Sequence, residues 1–253
     1  MAAKTRTLLA LGGAVLVALA ATGCGGGADA SEAPVEKKSF AFSGKTLTIS
    51  ADDSELTLVP ADVKEIEVER QVDGWAVFGS GPDPVWGLNG DTLNLKINCS
   101  GISVECEARH SVKVPRGTAV NVENDNGHVR ASGFTTDLKV KSDNGAVVLK
   151  NMSGKLDLES DNGKIEGEGI SGKTVNVKSD NGEIKIAFTG VPDRFDGDSS
   201  NGAIRLTLPE STYQVDAKSN NGKVRVDVPK ADSSSHVVKA RSDNGEITLQ
   251  SAN

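Results

Sequence analysis

The sequence predicts an all-β protein, folded as a β-solenoid (β-helix-like) of short strands with recurrent Ser-Asp-Asn-Gly turns. An Asn-Gly pair recurs along the chain at intervals of about 18 to 23 residues, and periods of about 20 to 50 residues are typical of solenoids. Apolar and polar residues alternate around each pair, as in strands with one buried face. The predicted structural turns are Asn126 and Gly127, Asn144 and Gly145, Asn162 and Gly163, Asn181 and Gly182, Asn201 and Gly202, Asn221 and Gly222, and Asn244 and Gly245.

The apolar residues keep a fixed register relative to each turn. Leu138 and Val140 stand six and four positions before Asn144, and Val147 and Leu149 stand three and five positions after it. Asn-Gly is also the preferred centre of a two-residue hairpin, so an antiparallel β-meander or a closed barrel is the alternative fold. A wide open sheet would leave its apolar face uncovered, and no helical segment is predicted to cover it. This favours the solenoid.

The mature chain divides into two predicted parts. Residues 39–118 show the same alternation without the regular turn, and we predict an N-terminal β segment or cap that contains a Cys pair. Residues 119–253 form the predicted β-strand repeat domain, and a cap is expected because the ends of solenoids have atypical sequences. Within the repeats, Gly167 and Gly197 interrupt the apolar pattern, which predicts a narrow interior or a bent strand.

The N-terminus resembles the signal peptide of a bacterial lipoprotein, predicted over residues 1–23. Lys4 and Arg6 precede an apolar run from Leu8 to Ala21, which is shorter than the roughly 20 residues that a helix needs to span a bilayer. Ala21-Thr22-Gly23-Cys24 is similar to a lipobox, and the resemblance implies lipidation of Cys24. Residues 24–38 are the predicted flexible tether. The domain would then be lipid-anchored at the cell membrane, facing the extracytoplasmic side, with ordinary secretion as the alternative.

Two further cysteines, Cys99 and Cys106, form an even pair in a compartment that permits disulfides. Their spacing is not that of a Cys-x-x-Cys redox or zinc motif, and His110 stands alone near them. A structural disulfide across a short turn is therefore predicted.

The charge balance disfavours a polyanionic partner. The net charge of −7 becomes −9 (−7 − 2) once the signal segment with Lys4 and Arg6 is removed, and aromatic residues make up only 4% of the chain. Nucleic-acid binding needs clustered Lys and Arg with stacking aromatics. No nucleic-acid partner is expected, and the membrane, an envelope protein or a glycan are the predicted partners.

No catalytic residues and no cofactor are predicted. Glu65, Glu67 and Glu69 would share one strand face, as the carboxylates of a polysaccharide-active enzyme could. Such alternation is equally the pattern of any solvated strand face. The three histidines fall in unrelated contexts, and no nucleophile with its base can be assembled from the sequence.

Four turn aspartates give a weak calcium hypothesis. In stacked coils they would recur about 4.8 Å apart, where like charges repel by roughly 0.9 kcal/mol even in water. A divalent cation is one way to offset the repulsion, although the strong calcium-binding loops are missing from the sequence. The residues are Asp125, Asp143, Asp161 and Asp180.

The last predicted strand, around Ile247 and Leu249, lies near the end of the sequence. We expect this strand to present an open edge, and open edges pair with other strands.

The signal segment, the N-terminal β segment with its Cys pair, the run Val114-Pro115-Arg116-Gly117-Thr118 and the repeated turns together resemble the bacterial putative-adhesin family of β-strand-repeat lipoproteins. The resemblance covers about residues 40–253 and implies a β-helix-like fold on the cell surface, with no catalytic residues to carry over. The leading functional hypothesis is a non-catalytic adhesion or envelope-assembly scaffold. An accessory protein of envelope stress signalling is the alternative, and an enzyme on envelope polysaccharide ranks third.

Overall fold

The computed structural model describes residues 29–79 and 81–252, which form 21 strands and one short 3-10 helix, Ala30–Glu32. The helix and the first seven strands precede the repeats. These strands are β1 Glu36–Phe40, β2 Thr46–Ala51, β3 Ser54–Ala61, β4 Ile66–Phe78, β5 Asp83–Asn89, β6 Thr92–Asn98 and β7 Ile102–Pro115.

Fourteen strands of four to six residues follow, two for each Asn-Gly turn. They are β8 Ala119–Asn124, β9 Val129–Ser132, β10 Leu138–Ser142, β11 Val147–Lys150, β12 Leu156–Ser160, β13 Ile165–Ile170, β14 Thr174–Ser179, β15 Ile184–Phe188, β16 Arg194–Ser199, β17 Ile204–Leu208, β18 Gln214–Ser219, β19 Val224–Asp227, β20 Val237–Ser242 and β21 Ile247–Ser251.

The repeats build two parallel sheets that face each other. Each coil places one strand in a ten-stranded sheet, turns at Asn-Gly, and places the next strand in an eleven-stranded sheet. Leu138 of β10 lies between Val120 of β8 and Leu156 of β12, the equivalent residues of the preceding and following coils, in parallel register. The predicted β-solenoid is thus confirmed, and the alternative of an antiparallel meander or a closed barrel is wrong for the repeats.

The core lies between the sheets and is filled by the predicted apolar positions. Val140, Leu149 and their apolar equivalents along the solenoid are buried, except in the end coil of β18 and β19, where Ala217 and Val226 are only partly buried. The two glycines that interrupt the pattern lie beside large side chains: a Cβ on Gly197 would lie 2.6 Å from the Phe195 ring, and one on Gly167 would lie 2.9 Å from the Ile186 methyl group. The interior is narrow at these two places because a neighbouring side chain already fills it.

The first strands belong to the same solenoid. The coil of β2 and β3 stacks in parallel on the coil of β8 and β9, and the coil of β6 and β7 lies on its other side. The end is closed by antiparallel strands, β5 on one sheet and β4 with β1 on the other. Residues 36–38, predicted as tether, instead pair in β1 because Glu36 and Lys37 meet Arg70 and Glu69 across the strands.

The order of the last two coils is reversed relative to the sequence. The coil of β20 and β21 inserts between the coil of β16 and β17 and the coil of β18 and β19. The expectation of an open edge at the last strand is therefore wrong, because Ile247 pairs with both Ile204 and Val224. Among the described strands, β18 and β19 form the open end of the solenoid.

Candidate functional site

The seven Asn-Gly turns stack into one edge of the solenoid, here called the Asn-Gly edge. A Cβ on Gly163 would lie 1.9 Å from the carbonyl oxygen of Gly145, and the other turn glycines meet a backbone oxygen of the neighbouring coil at 1.6–2.0 Å. None of the seven has a positive φ. Glycine is therefore required by the closeness of the stacked coils and not by the left-handed backbone of an Asn-Gly hairpin.

The turn asparagines form a continuous hydrogen-bonded ladder along the Asn-Gly edge. In every coil after that of Asn126, the side-chain amide donates to the side-chain oxygen of the Asn in the preceding coil at 2.7–2.9 Å. The ladder begins where Asn126 donates to the carboxylate of Asp53. It then follows the spatial order of the coils, through Asn144, Asn162, Asn181, Asn201, Asn244 and Asn221.

The serines of the turn motif point inward. The hydroxyl of Ser160 accepts a hydrogen bond from the backbone N–H of Gly163 at 2.9 Å, and the same bond recurs in the equivalent turns. These serines are buried, so the bond satisfies an N–H group that water cannot reach. They are Ser142, Ser160, Ser179, Ser199 and Ser242.

The turn aspartates lie at the same edge without forming a metal site. Burial, followed by the carboxylates of Asp52 and Asp143, raises the pKa of Asp125, which shows the expected repulsion at this end of the row. In residues 29–79 and 81–252, no group of three or more His, Cys, Asp or Glu side chains is arranged to hold a metal ion. The calcium hypothesis at Asp125, Asp143, Asp161 and Asp180 thus has no ligand group among the described residues to support it.

The outer face of the eleven-stranded sheet carries a shallow depression near the N-terminal end. Arg109 lies in it, with its Nε atom 3.3 Å from the Glu55 carboxylate and 3.0 Å from the Glu107 carboxylate. Arg130 forms an ion pair with the other oxygen of Glu55. The charges are partnered by one another, so the depression is a network of ion pairs on a solvated face.

Two of the three predicted strand-face glutamates have cationic partners. Glu67 lies 3.3 Å from the Lys113 ammonium, and Glu69 lies 2.7 Å from that of Lys37, whose hydrogen bond lowers the pKa of Glu69. Glu65 is exposed and precedes the strand that carries the other two. The three carboxylates do not converge on one point with a nucleophile or a base.

His110 is a feature that sequence reasoning missed. Its side chain is 2% exposed, and neither ring nitrogen has a hydrogen-bond partner within the described residues. Burial, and secondly the Arg70 guanidinium, lower the pKa of His110 to about 4. The signal for its burial is the alternation along β7, in which residue 110 faces inward between Ala108 and Val112.

The cysteines divide between the described and the undescribed parts of the chain. Cys99 and Cys106 are joined by a disulfide. The proposed lipidation site Cys24 and the signal segment 1–23 lie outside the described residues. Within residues 29–79 and 81–252, no helix has the length and apolar composition needed to cross a bilayer.

The two-sheet coil with its glycine-lined edge matches a known family. The model of the Toastrack DUF4097 family covers residues 35–250. The chain belongs to this family. The resemblance to β-strand-repeat putative adhesins is confirmed, and a search of curated proteins found no match.

Two solved structures are similar to this chain at low sequence identity. A putative adhesin from Parabacteroides distasonis ATCC 8503 is 12% identical, with 87% of this chain and 98% of that chain covered and a TM-score of 0.52. A putative adhesin from Bacteroides fragilis NCTC 9343 is 13% identical, with 87% and 97% covered and a TM-score of 0.44. The likeness to the Parabacteroides distasonis structure shows that its fold is shared with this chain, and at 12% identity it shows nothing more.

Proposed function

We propose that this Toastrack protein is a non-catalytic lipoprotein, anchored through Cys24 at the outer side of the cell membrane, that serves as a scaffold for adhesion or envelope assembly. The observation that carries the proposal is the pair of long outer sheet faces. Their charged side chains are partnered in ion pairs such as Arg109 with Glu55 and Arg241 with Asp216. Such faces offer an extended surface for a partner, and the similarity of the fold to that of a putative adhesin from Parabacteroides distasonis favours the same role.

The open end of the solenoid supports an assembly role in particular. The outer edges of β18 and β19 have no partner strand among the described residues, and Val224 on this end is 40% exposed. An unpaired edge with an exposed apolar residue is a template for strand addition by another protein. An envelope protein that adds a strand here would extend both the sheet and the apolar core.

Two binding assays and one activity assay separate the candidate roles. Intact cells or matrix that bind the purified full chain would support adhesion, and capture of an envelope protein would support assembly. The Val224→Asp variant should lose an envelope protein bound at the open end, because a carboxylate would enter the extended core. Ala187→Asp, which adds the same charge to the outer face of β15, should retain it. Turnover of envelope polysaccharide by the full chain would overturn the non-catalytic proposal.

The anchor is tested separately. Cys24→Ser should release the protein from the membrane fraction, and mass spectrometry of the mature N-terminus should find a diacylglyceryl group on Cys24 in the unmodified chain. An N-terminus cleaved near residue 20 without lipid would refute the anchor and leave the scaffold proposal to the binding assays.

A further inference from the structure

The antiparallel pair of β4 and β7 extends well beyond the solenoid. Within the sheet, β7 pairs with β3 only as far as Ala108, which lies opposite Val72 of β4. From Asp73 to Phe78 the two long strands continue as a projection, here called the arm. At about 3.3 Å per residue, the stretch from Asp73 to Phe78 extends roughly 20 Å. The disulfide between Cys99 and Cys106 closes the loop on the β7 side of the arm.

The outer part of the arm is uncharged and displays aromatic side chains. Residues 74–79 and 97–104 contain no Asp, Glu, Lys or Arg, although these four types make up 25% of the chain. Trp75 is 47% exposed and Phe78 is 71% exposed, the highest exposure of any large hydrophobic residue described. The other tryptophan, Trp86, is only partly exposed and is covered by the Arg70 guanidinium, 3.9 Å from its ring centre.

The first described residues, Asp29 and Ala30, are held at the base of the same arm. The backbone N–H of Asp29 donates to the Asp73 carboxylate at 2.8 Å, and that of Ala30 donates to the Glu107 carboxylate at 3.2 Å. Cys24 precedes Asp29 by five positions, which reach at most about 18 Å when fully extended. A membrane that holds a lipid on Cys24 therefore lies within reach of the aromatic residues on the arm.

Carboxylates mark a boundary on the arm. Asp73, Asp83, Glu105 and Glu107 flank the uncharged part, and Glu105 lies opposite Trp75 on the paired strand. Carboxylates are costly to move out of water, so Trp75 marks the boundary and Phe78 lies beyond it. Tryptophan and phenylalanine, in contrast, are favoured at the level of the lipid headgroups. The change from charged to uncharged sequence would limit insertion to the outer residues.

We propose that the outer part of the arm, with Trp75 and Phe78, inserts into the headgroup region of the membrane that carries the lipid anchor. The inference rests on the proposed anchor at Cys24. A diacylglyceryl group supplies two acyl chains, which by themselves attach a protein stably, and the arm would add a second contact with the bilayer. Two contacts, at the lipid and at the arm, would also fix the orientation of the solenoid relative to the membrane.

The two tryptophans make the proposal directly measurable. The full chain, purified from membranes, is reconstituted into phosphatidylcholine and phosphatidylglycerol vesicles that contain a bromine-labelled lipid, which quenches nearby tryptophan. Trp86→Phe leaves Trp75 as the reporter, and Trp75→Phe leaves Trp86. We expect the emission of Trp75 to shift to the blue and to be quenched by shallow bromines, while Trp86 is unaffected.

A second measurement removes the anchor. Full-length Cys24→Ser should still bind the vesicles weakly, and the added changes Trp75→Ser and Phe78→Ser should reduce this partitioning by about tenfold or more, because both side chains lose buried apolar area. Val224→Ser, a change of an exposed apolar residue at the other end of the solenoid, should leave partitioning unchanged. Circular dichroism confirms that each variant is folded.

The outcomes separate the arm from the anchor. A lipidated protein whose Trp75 is not quenched would overturn the arm proposal while leaving the anchor intact. A protein without lipid whose Trp75 is quenched would refute the anchor and support the arm. If Trp75 responds only when an envelope protein is added to the vesicles, the arm is a protein contact and the membrane proposal is wrong.

Discussion

Replacing Gly163 by alanine tests the closeness of the coils at the Asn-Gly edge. The new Cβ would lie 1.9 Å from the Gly145 carbonyl oxygen, and ordinary contact begins near 3.4 Å. The coils must therefore separate by about 1.5 Å (3.4 − 1.9) at this turn. That movement stretches the 2.9 Å bond from the Asn162 N–H to the Asp143 carbonyl and the 2.8 Å bond from the Asn162 side chain to Asn144.

The expected loss of stability follows from these contacts. Overpacking costs about 1–3 kcal/mol, and two weakened hydrogen bonds add roughly 1 kcal/mol. A total of about 3 kcal/mol corresponds to a decrease in Tm of about 10 °C for a chain of this length. Differential scanning calorimetry of the purified full chain measures it.

Two variants show whether sterics or backbone conformation causes the loss. Gly87→Ala should change Tm by less than about 2 °C, because nothing lies within 4 Å of its added Cβ and its φ is not positive. Gly163→Asn should be at least as harmful as Gly163→Ala, although asparagine tolerates a left-handed backbone. A Tm for Gly163→Ala within about 2 °C of the parent protein, or rescue by asparagine, would refute the reasoning.

Three other side-chain features give shorter predictions. Asn162→Ala removes one ladder bond to Asn144 and one from Asn181, and should lower stability by about 1–2 kcal/mol in urea unfolding; an unchanged midpoint would contradict the ladder. Between pH 6.5 and about 4, His110 is neutral in the folded protein and takes up a proton on unfolding. The free energy of unfolding should therefore fall by ~3 kcal/mol as the pH decreases through this window. His110→Leu should reduce that loss. Tm should be the same in EDTA and in millimolar calcium, since the turn carboxylates do not converge; an increase of several degrees in calcium would restore the cation hypothesis.

The repeat was readable from sequence because its physical cause is local. A fixed spacing between Asn-Gly pairs and a fixed apolar register place equivalent residues above one another, as in the pairing of Leu138 with Val120 and Leu156. The sequence does not predict why glycine follows asparagine in each turn. The Asn-Gly pair suggests a left-handed backbone, whereas the structure requires glycine at position 163 because the carbonyl oxygen of Gly145, in the neighbouring coil, lies so close.

The features that depend on the ends of the solenoid were beyond sequence reasoning. The uncharged segments around Trp75 and Cys99 were visible as irregular sequence, but only the pairing of β4 with β7 makes them one arm. The burial of His110 likewise depends on its position between Leu56 and Arg70 on neighbouring strands. Long-range pairing of this kind leaves no local pattern.

The reversed order of the last coils can be tested by disulfide formation. If the coils stacked in the order of the sequence, β18 would lie beside β16. In the structure β20 lies between these two strands, and Arg241 of β20 is paired with Asp198 of β16. Neighbouring strands are about 4.8 Å apart, within the Cα separation of roughly 4.4–6.8 Å that a disulfide requires, and strands two places apart, at about 9.6 Å, are not.

Cysteine pairs therefore distinguish the two orders. Asp198→Cys with Arg241→Cys should form a disulfide under mild oxidation, and Asp198→Cys with Lys218→Cys should not, as read by mass spectrometry of peptides in a Cys24→Ser background. All three substituted positions are exposed on the outer face, so differences in access do not explain a difference in yield. The opposite result would mean that the coils follow sequence order, and the open end would then return to β20 and β21. The interval between Asn221 and Asn244 is the longest in the repeat, and it is the one sequence signal consistent with a chain that must pass back over a coil already in place.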